Sequence, residues 1–231
     1  MILCIETSTK ACSVALSLNN KLLALKESID EKHSHAENLT LYIEDVFKLA
    51  NVAMKDINAV AVSKGPGSYT GLRIGVSTAK GLCYALDKPL IAINTLQAMC
   101  YLDKISTLDT SIPNLFCPMI DAKRMEVYCA VYDEKLCEIK KTTAEIIDEN
   151  SFADLLQKHK IIFFGDGSEK CRSKISHSNA IFIDGVNPSA KSMIAIAEKY
   201  FSENKFEDVA YFEPFYLKDF ITSSLPRPAN M

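Results

Sequence analysis

A short glycine-rich segment constrains the fold more than any other part of the chain. The apolar stretch Ile57–Val62 leads into Gly65-Pro66-Gly67, and a run of small and apolar residues from Gly71 to Leu86 follows. The two glycines allow a sharp turn, and Ser68 or Thr70 can cap a helix. The segment therefore predicts a buried strand, a tight turn and a helix in direct succession, which is typical of α/β proteins.

The opening strands are echoed in the second half of the chain. Apolar or alternating runs predict three consecutive strands at Ile2–Ile5, Cys12–Leu18 and Leu22–Leu25. Leu115–Ile120 and Met125–Tyr132 follow the same plan, in which a buried strand ends in a carboxylate and a turn before an apolar partner strand. The repeat predicts two similar α/β lobes across a cleft, unless a common strand–turn–strand pattern recurs here by chance.

The boundary between the lobes is expected in the polar, turn-rich stretch 103–114. We predict an N-terminal lobe of residues 1–105, a C-terminal lobe of residues 106–217 and a flexible tail of residues 218–231, because Leu225-Pro226-Arg227-Pro228 is polar and broken by proline. Further helices are expected at Ser34–Ala50, Phe152–Gln157 and Ser189–Phe201, with Ser189 as a possible cap. Further strands are expected at Pro89–Ile93, Ile161–Phe164 and Ile181–Asp184.

Composition limits the classes of function. The net charge is −3 and the pI is near 5.9, so the chain alone is not expected to hold nucleic acid tightly. The 8 cysteines are scattered without a C-x-x-C pair, which indicates buried thiols in a reducing compartment. No basic segment precedes the first strand, and no apolar run approaches membrane-spanning length. We therefore expect a cytoplasmic protein with no membrane association.

The helix at Gly71–Leu86 has few charges and many small residues. Interior glycines cost a helix about 1 kcal/mol each relative to alanine, so the close approach of another backbone is expected to offset that cost. The helix at Ser34–Ala50 has apolar residues beyond a single stripe, more than packing on one sheet requires. Both features favour a subunit interface, with burial inside the same lobe as the alternative. The candidate interface residues are Leu39, Ile43, Val46, Phe47, Gly71, Gly75, Thr78 and Leu82.

Four collinear segments resemble one known family. They are Ile2-Leu3-Cys4-Ile5-Glu6-Thr7-Ser8-Thr9, the stretch from Lys64 to Gly75, Ile120-Asp121-Ala122-Lys123-Arg124-Met125-Glu126-Val127-Tyr128, and Glu213-Pro214-Phe215-Tyr216-Leu217. These segments are similar to motifs of the TsaB family, also called YeaZ, and they span nearly the whole chain. The resemblance implies an actin-like, Hsp70-like and sugar-kinase-like (ASKHA) fold of two duplicated lobes, in agreement with the repeat.

The resemblance also implies a role in making threonylcarbamoyladenosine (t6A) at adenosine 37 of tRNA. It implies a non-catalytic scaffold or activator subunit that pairs with the catalytic relative TsaD and cooperates with the ATPase TsaE. By this reading the chain meets tRNA only indirectly, through the complex. The resemblance does not decide whether a homodimer forms when the partner is absent.

The residues show no recognisable catalytic machinery. The histidines are His33, His35, His159 and His177, and neither H-E-x-x-H nor H-x-x-x-H occurs. No nucleophile elbow of the G-x-S-x-G kind is present either, so the sequence offers nothing for a peptidase. We therefore expect no catalytic residue, no metal site and no intrinsic cofactor.

By the resemblance, the turns Glu6-Thr7-Ser8-Thr9 and Asp121-Ala122-Lys123-Arg124 correspond to the hairpins that bind phosphates in actin-like ATPases. No glycine lies in either turn, and Glu6 replaces the usual first aspartate, so side chains are expected to crowd a phosphate. Asp166, between two glycines, is a candidate remnant of an adenosine-side loop or an ordinary turn. The candidate cleft residues are Glu6, Thr7, Ser8, Thr9, Asp121, Lys123, Arg124 and Asp166. We expect a degenerate cleft with at most weak ATP or ADP binding. The alternative is an actin-like small-molecule kinase or ATPase.

Overall fold

The first half of the chain forms a mixed five-stranded sheet in a computed structural model that describes residues 1–29, 35–102 and 114–218. Its strands are β1 (Ile2–Glu6), β2 (Ala11–Leu18), β3 (Lys21–Ile29), β4 (Ala59–Gly65) and β5 (Leu90–Asn94). They lie in the order β3-β2-β1-β4-β5, with β1 antiparallel to β2 and parallel to β4. The strands β1, β4 and β5 read as almost continuous apolar runs because both faces of this part of the sheet are covered.

The second half repeats this sheet. Its strands are β6 (Asn114–Asp121), β7 (Glu126–Tyr132), β8 (Glu138–Ile146), β9 (Lys160–Phe164) and β10 (Ala180–Ile183). They lie in the order β10-β9-β6-β7-β8, which is the order of the first sheet with each strand replaced by its counterpart. The antiparallel and parallel pairings also correspond. The predicted two-lobed, duplicated α/β fold is confirmed.

Two long helices cover one face of the first sheet. Helix α1 (His35–Ala50) packs on β2 and β3, and helix α2 (Tyr69–Leu86) packs on β4. The Ser68 hydroxyl accepts a hydrogen bond of 3.3 Å from the Gly71 N–H, which confirms the predicted cap. At the other end, Asp87 adopts a left-handed backbone conformation that terminates α2.

The other helices are shorter. They are α3 (Thr95–Met99), α4 (Ala153–Leu156), α5 (Ser168–Cys171) and α6 (Ile194–Ser202). Helices α4 and α5 stand where α1 and α2 stand in the first lobe, yet each has only 4 residues. Within the described ranges, no helix is long and apolar enough to cross a membrane.

The chain returns to the first lobe after β10. Met193 and Ile196 share a core cluster with residues of the first sheet such as Ile2 and Ile91. Further along, Glu207 forms a bridge with Leu90. Residues 190–212 therefore complete the first lobe, although we predicted that 106–217 form the second. The reason is that the sheet face opposite α1 and α2 is apolar and needs a cover. The predicted boundary near residue 105 and the tail after 218 lie outside the described residues.

Helices α3 and α5 are not predicted from the sequence, and two further elements differ from its pattern. Strand β8 is not predicted because it is a charged and threonine-rich edge strand, and its pairing with β7 decides its conformation. The predicted helix Ser189–Phe201 is divided into a 3₁₀ turn, Ala190–Met193, and α6. Ser189 caps the 3₁₀ turn by accepting a hydrogen bond from the Lys191 N–H.

The cysteines behave as small apolar side chains. All 8 are free thiols, and only Cys137 is exposed. Burial raises the pKa of the Cys4 thiol to about 12 and that of Cys83 to about 11. Such thiols are unreactive at neutral pH because the thiolate is the nucleophile.

Candidate functional site between the lobes

A cavity of about 680 Å³ lies between residues of the two lobes. Its walls are the turn after β1, the loop from β4 into α2, the turn after β6, Asp166 and the C-terminal residues Phe215–Lys218. The strands β1 and β6 are counterparts in the duplicated fold, so their carboxyl ends bring the two predicted turns to one place.

A buried carboxyl group holds the turn after β1. Glu6 is 0% exposed, and its Oε1 accepts hydrogen bonds from the Ser8 N–H (2.6 Å) and the Ser63 hydroxyl (2.9 Å). Its Oε2 has no hydrogen-bond partner. Burial raises the pKa of Glu6 above its ordinary value even though the hydrogen bonds act in the opposite direction. This turn is therefore organised by an acid of the protein itself.

The glycine-rich loop lies directly on this turn. The Ser68 N–H donates a 2.6 Å hydrogen bond to the Ser8 carbonyl, and the Thr7 hydroxyl donates a 2.8 Å hydrogen bond to the Gly71 carbonyl. A Cβ atom on Gly67 would lie 2.2 Å from the Ser8 oxygen, and one on Gly75 would lie 2.2 Å from Thr7 Oγ1. Both glycines are needed because the turn and the start of α2 approach each other so closely.

Carboxylates also organise the turn after β6. The Asp121 N–H donates to Asp166 Oδ1 (3.0 Å), and the Lys123 N–H donates to Asp121 Oδ1 (2.9 Å). The Lys170 ammonium pairs with Asp121 and also donates to the carbonyl of Arg124. Burial raises the pKa of Asp166 above its ordinary value, and the nearby charge of Asp121 acts in the same direction.

Both turns therefore use their amides internally. Phosphate sites in proteins rely on free backbone N–H groups, yet those of Ser8, Asp121 and Lys123 are bonded to carboxylates of this chain. An incoming phosphate would also meet negative charge at the second turn. The cationic side chains on the cavity wall include Lys10 and Lys123, which can attract an anion without orienting it.

The structure brings together most of the predicted cleft residues. Those on the cavity wall are Ser8, Thr9, Asp121, Lys123 and Asp166. Glu6 and Thr7 lie buried beneath the first turn, while Arg124 contributes its carbonyl to the second. Reasoning from the sequence did not assign Tyr69 or the C-terminal residues to the cleft. Their chain positions gave no signal, because only folding places residues 213–218 beside Gly65.

A repeated sequence pattern marks the two loops beside the cleft. Gly65-Pro66-Gly67-Ser68 and Gly165-Asp166-Gly167-Ser168 share a G-x-G-S pattern. Gly65 has a φ of 108° and Gly165 a φ of 102°, and both follow counterpart strands. The pattern identifies the two loops as equivalents and marks Asp166 as the counterpart of Pro66.

The predicted interface residues have roles inside the chain. Those buried in the core of the first lobe are Leu39, Ile43, Val46 and Phe47. Gly71 and Gly75 are also buried, and Thr78 and Leu82 are half-buried. At Gly75 the close approach inferred from the glycines is made by the Thr7 side chain of the same chain. The buried members of the set lie inside the lobe, where a partner cannot contact them. The prediction that they are interface residues is corrected accordingly.

The outer faces of the same helices carry different residues. Leu41 and Leu49 on α1 are 57% and 61% exposed, and Tyr84 on α2 is 88% exposed. Beside Tyr84, the small residues Ser77, Gly81 and Ala85 are exposed, and a Cβ atom on Gly81 would meet nothing within 4 Å. The helices therefore present a partly apolar surface, displaced by part of a turn from the predicted one.

Metal ions in proteins are held mainly by His, Cys, Asp and Glu side chains. In the ranges 1–29, 35–102 and 114–218, no group of three or more His, Cys, Asp or Glu side chains is arranged to hold a metal ion. His33 and the side chain of His35 lie outside what the structure describes.

The duplicated sheets, the facing turns and the glycine-rich loops define a two-lobed protein of the actin-like, Hsp70-like and sugar-kinase-like class. The fold is similar to the solved structure of YeaZ from Pseudomonas aeruginosa, with a TM-score of 0.80 and 22% identity over 94% of this chain and 99% of that one. Residues 28–223 match the family model of TsaD, the tRNA N6-adenosine threonylcarbamoyltransferase.

Proteins of similar sequence are named for the biosynthesis of tRNA threonylcarbamoyladenosine. The tRNA threonylcarbamoyladenosine biosynthesis protein TsaB of Escherichia coli K12 is 30% identical, over 94% of this chain and 94% of the relative. TsaB of Haemophilus influenzae is 24% identical, over 96% of this chain and 94% of that protein. The chain belongs to the TsaB family.

Proposed function

We propose that this protein is the non-catalytic scaffold and activator subunit for t6A synthesis at adenosine 37 of tRNA in the cytoplasm. One observation carries the non-catalytic part: in the two cleft turns, the amides of Ser8, Asp121 and Lys123 are bonded to carboxyl groups of this chain. A site that has used its phosphate donors in this way cannot stabilise the charge that develops in phosphoryl or acyl transfer. The membership of the family and the names of the relatives support the pathway.

The proposed partner is the catalytic relative TsaD. The outer faces of α1 and α2 are the proposed contact, because Leu41, Leu49 and Tyr84 expose apolar surface beside the small residues Ser77 and Gly81. Small side chains let a second helix approach closely. The same surface could pair with a second copy when the partner is absent. TsaE and tRNA would join through the complex.

The activity test compares the chain with and without its partner. Purified protein is incubated with threonylcarbamoyl-adenylate and unmodified tRNA, in the presence or absence of TsaD from the same host. We expect t6A only when the partner is present. Robust product from this chain alone would overturn the non-catalytic role.

The interface is tested with charges on exposed apolar positions. Tyr84→Asp and Leu41→Asp should each weaken TsaD binding by at least about 30-fold, the loss expected for a central interface residue. Ile146→Asp is the matched control, because Ile146 is 74% exposed on the second lobe. Equal effects of all three changes, or none from the helix variants, would place the interface elsewhere. Thermal melts verify folding.

The second candidate function is a small-molecule kinase or ATPase. The observation in its favour is the cavity of about 680 Å³ with Lys10 and Lys123 on its wall. Because the turn amides are occupied, we propose weak ATP or ADP binding at most and no intrinsic cofactor. Calorimetry on the isolated chain discriminates the two: tight, magnesium-dependent ATP binding with turnover would favour the enzyme.

A further inference from the structure

The C-terminal strap, residues 213–218, lies against the glycine-rich loop. The Phe215 N–H donates a 2.7 Å hydrogen bond to the carbonyl of Lys64, at the end of β4. A Cβ atom on Gly65 would lie 2.9 Å from the Phe215 oxygen, so the two backbones are in direct contact. The strap is thus fixed at its start to the first lobe, at the rim of the cavity.

Tyr216 anchors the strap to α2. Its ring centroid is 4.8 Å from that of Tyr69 in the first turn of the helix. Arg73 lies over the Tyr69 ring at 4.3 Å. Just before the strap, Lys80 donates hydrogen bonds of 3.1 and 3.0 Å to the carbonyls of Ala210 and Phe212. Several contacts of different kinds therefore hold this end.

Lys218 reaches the other lobe. Its ammonium pairs with Glu126 and lies 5.8 Å from the centre of the Tyr128 ring, and both residues belong to β7. Tyr216, Leu217 and Lys218 all line the cavity, so the strap runs across its mouth from one lobe to the other.

We propose that the C-terminal strap is a latch that holds the two lobes at a fixed angle and closes the mouth of the cavity. The anchor residues Tyr216 and Lys218 are two positions apart in the chain, so their backbones lie at most about 7 Å from each other. The lobes cannot move apart at this point while both anchors hold. The inference is independent of the proposed function because every contact lies within one chain.

The two anchors differ in strength. The Lys218 and Glu126 side chains are 37% and 24% exposed, and salt screens an ion pair of that kind. The Tyr216 end combines a contact between two tyrosine rings, a guanidinium contact with one of them and backbone hydrogen bonds. The latch therefore releases at Lys218, and the turn after β6 then relies on its contacts within the second lobe, such as those of Lys170 and Asp166.

Amide hydrogen exchange on the full chain tests the latch. In Lys218→Met, which removes the charge and keeps the apolar stem, amides in the turn 121–126 should exchange about tenfold faster through local opening. Amides of β1 and β4 should keep their wild-type rates. Lys205→Met is the matched control, because Lys205 lies over the Tyr200 ring at 3.9 Å and does not touch the cavity. It should leave the turn unchanged.

Salt and a second variant sharpen the test. Raising the salt from about 0.05 to 0.5 M shortens the screening length more than twofold, so it should accelerate exchange at the turn in the wild type but not in Lys218→Met. Tyr216→Ala should accelerate exchange at the turn and at residues 64–69. Unchanged rates at the turn in both folded variants would overturn the latch. A uniform acceleration through β1–β5 would overturn it as well, because the strap would then be part of the core of the first lobe.

Discussion

The two lobes share a sheet and differ in the helices that connect its strands. Between β4 and β5 the first lobe has α2 with 18 residues, whereas between β9 and β10 the second lobe has α5 with 4. Likewise, α1 has 16 residues and its counterpart α4 has 4. Within the described residues the sheet is therefore the common frame, and only the first lobe adds a broad helical surface to it. That difference favours the first lobe as the side that meets a partner.

The loops before α2 and α5 are the part of the connections that the lobes share. Both contain a G-x-G-S pattern with a left-handed first glycine. Their surroundings differ, since Gly65 faces the C-terminal strap and Gly165 faces the Met119 carbonyl of β6. The same loop thus contacts the strap in one lobe and a central strand in the other.

The largest expected effect comes from these first glycines. A Cβ atom on Gly165 would lie 2.1 Å from the Met119 oxygen at a φ of 102°. Left-handed strain and overpacking should together make Gly165→Ala less stable by about 3–4 kcal/mol. Gly65→Ala has similar strain, but its nearest atom is 2.9 Å away in the strap, so we expect a loss of about 2 kcal/mol. Urea unfolding measures both. A Gly65 variant that loses as much stability as the Gly165 variant would contradict the different surroundings of the loops.

Two glycines within α2 give the next largest effect. Gly75→Ala would place a Cβ atom 2.2 Å from Thr7 Oγ1. It should lower the free energy of unfolding by about 1–2 kcal/mol, because overpacking exceeds the gain in helix propensity. Gly81→Ala is the matched control, since nothing lies within 4 Å of its Cβ position. That change should stabilise the isolated chain by up to about 1 kcal/mol. If both variants changed the free energy of unfolding in the same direction, the contact with Thr7 would not require glycine at position 75.

Glu6 provides a test by pH at the end of β1. Burial raises its pKa above the ordinary value of 4.5, so the folded state binds this proton more tightly than the unfolded state does. The stability from this group is complete below about pH 4.5 and is lost as the pH rises through the folded pKa. Glu6→Gln lacks that loss, so its stability relative to the wild type should rise by up to about 1.4 kcal/mol per pH unit in that window.

Denaturant unfolding from about pH 4 to 8 checks this window. Glu6→Ala is the control for the hydrogen bonds to Ser8 and Ser63, and it should be less stable than the wild type at low pH. If the difference in unfolding free energy between Glu6→Gln and the wild type stayed constant with pH, Glu6 would not have a raised pKa in the folded protein.

The smallest effect is expected at the edge of the second lobe. Arg172, just after α5, pairs with Asp184 at 2.6 Å and lies 5.0 Å from the Phe182 ring of β10. The Arg172 and Asp184 side chains are 48% and 71% exposed, so Arg172→Met should cost at most about 1 kcal/mol in urea unfolding. A larger loss would mean that surface side chains hold β10 where the long helix of the first lobe is missing.

Sequence reasoning located most of the cleft. Carboxylates at the ends of strands predicted the two turns, and Asp166 between two glycines predicted the third contribution. It did not predict how the amides of the two turns are bonded. Side chains were expected to crowd a phosphate, whereas the structure shows amides already bonded to Glu6, Asp121 and Asp166. Two of these bonds are local, from Ser8 to Glu6 and from Lys123 to Asp121, and only the pairing of β9 with β6 brings Asp166 to the Asp121 amide.

The sequence by itself determined the features that arise from local pattern. Apolar runs specify the buried strands, the G-x-G-S loops specify the turns, and Ser68 specifies the start of α2. Tertiary structure alone decided the rest, because those contacts join residues far apart in the chain. It turned the predicted interface residue Val46 into the core, placed α6 on the first sheet and brought Lys218 to Glu126. A periodic pattern shows that a helix has an apolar face, but which neighbour buries that face depends on where the whole chain returns.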